Sequence, residues 1–279
     1  MKYRFLRFPN FKQKAVTLSY DDGVQYDAKL IEIMRKYGLK GTFNINSGLF
    51  SPEDGGRRMS KREAYDLYAN SGMEVAVHGV KHYSLGEVNS MAVVKEVAED
   101  RENLEEMFSR IVRGMAYANG STSDEAVLIL KACGIAYART TVSTEKFDIP
   151  TDWLRLPATC HHGNPRLMEL AKEFVEIQEG EGYMWRWNHF PKLFYLWGHS
   201  YEFNDNNNWE IIEEFAKYVG NREDIWYATN GEIYDYVKAY DQLIYSANGK
   251  KIYNPTATDI YLNYFGVNVF VPAGKTVEV

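Results

Sequence analysis

Short β-rich segments alternate with helical ones along most of this chain, and that alternation constrains the fold more than any other feature. KAVTLSY (residues 14–20) is rich in β-formers and runs straight into the acidic turn Asp21-Asp22-Gly23. Leu30, Ile31, Met34 and Tyr37 then recur at helical spacing until Gly38. GTFNIN reads as the next strand, Ser60 with Glu63 as a capping box opening a helix to Gly72, and MEVAVH as a third strand. A long helix is expected from Ser90 to Phe108, with Val94, Val97, Leu104 and Phe108 on one face. IVRGMAY, IAYART, LRLPA, KLFYLWG and DIWYA follow as short strands, between helices at 123–133, 165–178, 209–219 and 232–240.

Strands separated by helices pair in parallel through right-handed crossovers. About seven or eight such units predict an α/β fold, a distorted (β/α) barrel. The stretch after residue 242 differs: IYNPT, DIYLNYF, VNVFVPAG and KTVEV read as a small antiparallel β appendage. Val267, Val269, Val271 and Val277 alternate as one buried face would. The expected division is therefore 1–242 for the barrel and 243–279 for an appendage packed on it.

Composition narrows the partners. The 279 residues carry a net charge of -6, and no run of Lys and Arg exceeds three residues, so a nucleic-acid backbone lacks its electrostatic counterpart. Two cysteines, Cys133 and Cys160, cannot build a disulfide framework, and Cys133 falls on an apolar helical face with Ile129 and Leu130. No stretch approaches the roughly 18 apolar residues of a membrane span, and the first residues lack a signal-like apolar region. The expectation is an intracellular protein. Twenty-one tyrosines suit sugar stacking but also ordinary packing.

In a barrel of this kind the reactive groups sit on the loops after the carboxyl ends of the strands. Asp21-Asp22-Gly23, His78-Gly79-Val80-Lys81-His82, Tyr117-Ala118-Asn119-Gly120 and Gly198-His199 all fall in such loops. Two histidines four apart and a carboxylate from another strand can hold one metal ion and leave a position for water. A second aspartate beside them can take the proton of that water, and His199, on the opposite wall, is the candidate acid for a leaving group. Adjacent residues at a strand end point to opposite sides, so Cys160-His161-His162 is not expected to form a second metal site. His161 or His162 instead faces the rim, and Glu202 is a candidate to orient a site residue.

These motifs resemble those of the polysaccharide deacetylases of carbohydrate esterase family 4, with their NodB-homology domain. Thr17-Leu18-Ser19-Tyr20-Asp21-Asp22-Gly23 resembles the family's T-F-D-D-G, and His78 to His82 its H-S/T-x-x-H. The resemblance covers about residues 12–240 and implies Asp21 as general base. It also implies Asp22, His78 and His82 as ligands of one divalent metal, zinc before cobalt, nickel or manganese. The family's R-x-P-Y-G is altered: aligned on Gly120, Ala116 stands where the arginine would be, Ala118 for proline and Asn119 for tyrosine. Arg113 comes three residues too early. The Asn119 backbone amide remains the candidate oxyanion donor.

Asp152-Trp153 resembles the family's D-W pair, implying an aromatic wall beside an acetyl pocket, and Trp197-Gly198-His199 resembles its last motif. Tyr20, Tyr117, Trp153, His161 and Trp197 are the candidate substrate-binding side chains. The implied activity is hydrolysis of N- or O-acetyl groups on a carbohydrate, with an acetylated carbohydrate as partner and neither nucleic acid nor a membrane span. The alternatives are hydrolysis of other non-peptide C–N bonds on the same scaffold, or a sugar-binding homologue impaired by the missing arginine.

Overall fold

Strand β2 (Lys14–Asp21), with all eight residues buried, takes the centre of the sheet, which a strand flanked on both faces requires. It follows a two-residue strand, β1 (Leu6–Arg7). Helix α1 (Asp27–Lys36) comes next, with Asp27 in its first turn and Arg35 and Lys36 in its last, signs that suit the helix dipole. Its Leu30, Ile31, Ile33 and Met34 are buried. The alternation continues through β3 (Gly41–Ile45), α2 (Lys61–Tyr68) and β4 (Glu74–Val77). The Ser60–Glu63 capping box that opens α2 is present in both directions. The computed structural model describes residues 2–178 and 189–279.

The long helix after β4 is not regular. It begins as α3 (Ser90–Val94), widens into a π-helical stretch at Lys95–Glu99 and resumes as α4 (Asp100–Phe108). The wide turn shifts the register, so Val93 and Val97 are buried while Val94, expected on the apolar face, is 37% exposed. Then come β5 (Gly114–Ala116), α5 (Asp124–Ala132), β6 (Tyr137–Ser143), β7 (Leu156–Ala158), β8 (Cys160–His161) and α6 (Leu167–Glu176). After them lie β9 (Lys192–Gly198), α7 (Ser200–Asp205), α8 (Glu210–Val219), β10 (Ile225–Tyr227) and α9 (Asn230–Asp241).

These strands form one parallel sheet in the order β7-β6-β5-β4-β3-β2-β9-β8, with β10 also parallel to β2. The sheet closes through one segment that changes partner. Residues of β7 pair with β6, those of β8 pair with β9, and between them the Thr159 N–H donates to the Tyr195 carbonyl at 2.8 Å. This is the expected α/β architecture, a barrel distorted at its seam.

The foot of the barrel is sealed by α9. Asn230 in its first turn accepts from the Thr17 hydroxyl at 2.8 Å and donates to Tyr195 Oη at 2.7 Å. Glu74 accepts from the Gly231 N–H, the Thr42 hydroxyl and the Tyr137 hydroxyl. A carboxylate at a helix N-terminus complements its dipole as well as its free amides.

The C-terminal strands form two three-stranded antiparallel sheets: β11 (Ile244–Tyr245), β12 (Lys251–Tyr253) and β15 (Thr276–Glu278) in one, β13 (Ile260–Tyr264) and β14 (Val267–Val271) with β1 in the other. Leu6 pairs with Leu262, so the first residues join the appendage rather than the barrel. Leu6, Ile260, Leu262 and Val271 pack with Tyr236, Val237 and Tyr240 of α9. The valine alternation holds only in part: Val271 is buried, whereas Val267, on the same edge strand beside the hairpin turn, is 65% exposed. Among the described residues no helix is long and apolar enough to cross a membrane. Leu262→Ala should lower stability by about 2–5 kcal/mol in urea denaturation. A loss below about 0.5 kcal/mol would mean that the sheet contributes little to the folded state.

Candidate active site

The carboxyl ends of β2, β4, β5, β8 and β9 meet at one rim, and the acidic turn and the histidines meet there too. Asp22 has a φ of 84° and His82 one of 61°, left-handed values that non-glycine residues adopt only where the surroundings enforce them. For Asp22 the enforcing contacts are its N–H to the Asn44 carbonyl at 2.9 Å and the Arg58 guanidinium, which donates to the Asp22 carbonyl and to Asn46 Oδ1. Arg58 Nη2 also lies 3.0 Å from Asp22 Oδ1.

The His78–His82 loop is held from behind by the irregular helix. Asp100 accepts from the N–H groups of His78, Gly79 and Ser47 at 2.9, 2.9 and 2.7 Å. Glu96, in the π-helical stretch, accepts from the N–H of Lys81 and of Tyr83. The wide turn thus aims two acidic side chains at the loop that carries both histidines.

Asp22, His78 and His82 offer three ligand atoms within 4.8 Å of one another. His78 Nε2 and His82 Nε2 lie 3.9 and 3.7 Å from Asp22 Oδ1. These gaps are too long for hydrogen bonds and slightly wider than the roughly 3.4 Å between tetrahedral ligands about 2.0–2.2 Å from one ion. His78 Nδ1 is 2.8 Å from the Ala116 carbonyl, so it carries the proton and leaves the Nε2 lone pair facing the gap. That Nε2 is buried without a hydrogen-bond partner, and burial lowers the pKa of the ring, which favours the neutral, metal-binding form. The residues fit a divalent ion of zinc's type.

Asp21 projects into the barrel, where the fully buried Arg139 of β6 donates to its Oδ2. Asn44 Nδ2 donates to its Oδ1 at 2.8 Å. Burial pushes this carboxyl up, but Arg139, His78 and His199 outweigh it and hold the pKa at about 2. Arg139 also lies over the Trp197 ring at 4.4 Å and reaches Ser19 Oγ at 3.3 Å. A guanidinium thus reaches Asp21 from β6, the strand after the altered third motif. Sequence comparison at fixed spacing misses it; the signal was a lone arginine inside the β-rich IAYART.

His199 follows β9 with Nε2 3.9 Å from Asp21 Oδ2. Burial lowers its pKa, but Glu202 and Asp21 raise it more, so the ring gains the protonated form an acid needs. Asn119 sits on the same side in a left-handed turn, φ 57°, and its amide side chain donates to Ser84 Oγ at 3.0 Å. His161 and Trp197 stand edge to face at the rim, ring centroids 4.6 Å apart.

Three expected substrate contacts lie elsewhere. Tyr20 is buried beside Phe43, His162 and Phe203, because it precedes Asp21 on a strand and so points to the opposite face. Tyr117 is buried and donates to the Leu154 carbonyl at 2.9 Å. Trp153 packs against Tyr234 below the rim, and Asp152 is an exposed partner of Arg155. None of the three tyrosine and tryptophan side chains lines the rim.

Comparisons with known proteins bear on the fold and on part of the chain. Residues 9–138 match the family model described as Polysaccharide deacetylase, a segment that contains the acidic turn and both loop histidines. The match is to the family that the motifs resemble. No curated protein matches the chain. A Mycobacterium smegmatis protein provisionally described as a polysaccharide deacetylase shares the fold at TM-score 0.60 and 16% identity, over 85% of this chain and 94% of its own. A Streptomyces lividans family 4 carbohydrate esterase, in complex with acetate, does so at TM-score 0.51 and 13% identity, over 77% and 92%. A Bacillus anthracis protein described as a family 4 pseudoenzyme does so at TM-score 0.51 and 16% identity, over 82% and 67%. This chain spans 55% of the length of the Streptococcus pyogenes deacetylase PplD.

Removing Arg139 leaves Asp21 as an unpaired buried charge. Arg139→Met should cost about 3–5 kcal/mol in urea denaturation at pH 7, and the loss should shrink in acid as Asp21 becomes protonated. An unchanged midpoint at pH 7 would mean that the pair is not formed in solution.

Proposed function

We propose that the protein is a divalent-metal-dependent hydrolase that removes N- or O-linked acetyl groups from a carbohydrate. The observation that carries this reading is the convergence of Asp22, His78 and His82 around one gap, with Asp21 and His199 on its flanks. Three protein ligands leave a position for water, whereas a structural zinc takes four. When bound there, the ion supplies Lewis-acid polarisation of a carbonyl and a water with its pKa lowered toward about 7.

The chain's own residues divide the remaining work. Asp21, kept ionised by Arg139, accepts a proton from the attacking water through its carboxylate. The Asn119 N–H donates to the oxygen on which negative charge gathers. His199 gives its Nε2 proton to the departing amine or alcohol. Trp197 and His161 form the wall against which the sugar or acyl group rests. The binding-only alternative drew on the missing arginine, the tyrosine richness and the β appendage; Arg139 beside Asp21 supports the hydrolase reading over it.

Elemental analysis after dialysis against trace zinc tests the ligand set: about one ion per chain in the wild type and none in His82→Ala. Zinc-free wild type would sink the mechanism. Asp21→Asn should keep the ion and lose about a thousandfold or more in acetate release from an acetylated oligosaccharide. A near wild-type rate in this variant would remove Asp21 from the base role.

A further inference from the structure

Beside His199, outside the metal-ligand set, three histidines converge on one carboxylate. We propose that Glu202, gripped by His161 and His162, is the positioning residue that presents His199 to the leaving group. The proposal rests on the hydrolase reading above and adds to it the machinery that orients the acid.

Glu202 lies three residues after His199, in α7, while His161 ends β8 and His162 follows it. The carboxylate divides its oxygens between them. Oε2 is 3.1 Å from His161 Nε2 and 2.8 Å from His162 Nε2, and Oε1 is 3.4 Å from His199 Nδ1: these are ion-pair contacts, and neither Oε2 nor His199 Nδ1 completes an aligned hydrogen bond. The last contact is loose, as catalytic contacts often are before substrate binds.

The tautomers follow from the neighbours. Gly163 donates its N–H to His161 Nδ1 at 3.0 Å, so in the neutral ring the proton sits on Nε2 and faces Glu202. This decides against a second metal, although ligand atoms of His161, His199 and Glu202 come within 4.8 Å of one another. An ion would need a lone pair where His161 holds a proton.

His162 is buried, and burial pushes its pKa down to about 4 despite Glu202, so it is neutral through the physiological range. Its Nδ1 has no hydrogen-bond partner and lies over Gly198, where a Cβ would come within 2.0 Å. A proton on that atom would be stranded, which assigns it to Nε2 and the carboxylate. Stacking on Tyr20 and packing on Phe203 fix the ring plane.

Glu202 is therefore held ionised: burial raises its pKa, and the three imidazoles together bring it well below the usual carboxylate range. It cannot take the Nδ1 proton of His199 for itself. It keeps that proton on Nδ1 and leaves Nε2 aimed at the site. Asp21 faces His199 across the gap at 3.9 Å, Asp22 also raises the pKa of the ring, and His161 and Tyr201 stand beside it with ring centroids 6.3 and 5.1 Å away.

The test compares wild type, Glu202→Gln and Glu202→Asp as full chains loaded with zinc, using a tetramer of N-acetylglucosamine and p-nitrophenyl acetate as probes. Glu202→Gln should lose about a hundredfold in kcat with KM and zinc content unchanged, and Glu202→Asp should recover part of it. The alkaline limb of the kcat profile should move to lower pH in Glu202→Gln, because activity needs protonated His199 and the variant releases that proton sooner. Imidazole NMR titration without substrate gives a readout independent of turnover: the His199 pKa should fall by about one unit. If neither probe is hydrolysed by the wild type, the hydrolase reading fails for these acetates, yet the titration still tests the clamp. An unshifted His199 in Glu202→Gln, or an unchanged kcat and alkaline limb, overturns the proposal.

Discussion

The Asp21–Arg139 pair organises the interior of the barrel. Its partners stand on β2 and β6, which are separated in the sheet by β3, β4 and β5, so the contact crosses the barrel and fixes its width at the level of the rim. Two charges out of water are costly unless their remaining valences are met. Asn44, Ser19 and the Trp197 face meet them. The pair also locks the register of β6, in which Tyr137 and Arg139 face inward and Ala138 packs on the outer layer. A slip of one residue would place alanine against the carboxylate and arginine among the helices.

Much of this was legible in the sequence because it depends on local pattern. The strand–helix alternation gives the sheet, and the acidic turn with histidines four apart gives the cluster at the rim. What was missed depends on direction or on distance along the chain. Tyr20 adjoins Asp21, but strand periodicity alone sends the two side chains to opposite faces. Arg139 reaches Asp21 from another strand, where no fixed motif spacing finds it. The π-helical turn at 95–99 leaves the apolar period nearly intact, yet it rotates Val94 outward and carries Glu96 and Asp100 to the histidine loop. Trp153 lies in an irregular segment, and only tertiary packing decides its side.

Two polar networks at opposite ends of the barrel divide the structural labour. At the foot, Glu74, Thr42 and Tyr137 hold the first turn of α9, whose apolar side then receives the antiparallel strands. At the rim, the acidic groups of the irregular helix hold the His78–His82 loop, and Asp27 accepts from Tyr68 and Ser200, bracing α7 where it leaves His199. Burial raises the Asp27 carboxyl to about 7, while the Tyr68 and Ser200 hydroxyls oppose that rise. The polar side chains at the site therefore rest on supports that are themselves buried and polar, which keeps the rim in one arrangement.

The pairing of Leu6 with Leu262 sets an order of events during synthesis. A ribosome adding about 5–20 residues per second needs on the order of 13–50 s between making Leu6 and making its partner. For that interval β1 presents an open edge and the uncovered side chain of Leu6, while the barrel strands, closer in sequence, can already associate. This antiparallel sheet thus closes late, on a molecule whose polar rim can assemble before it, and β1 has most need of a chaperone in that interval.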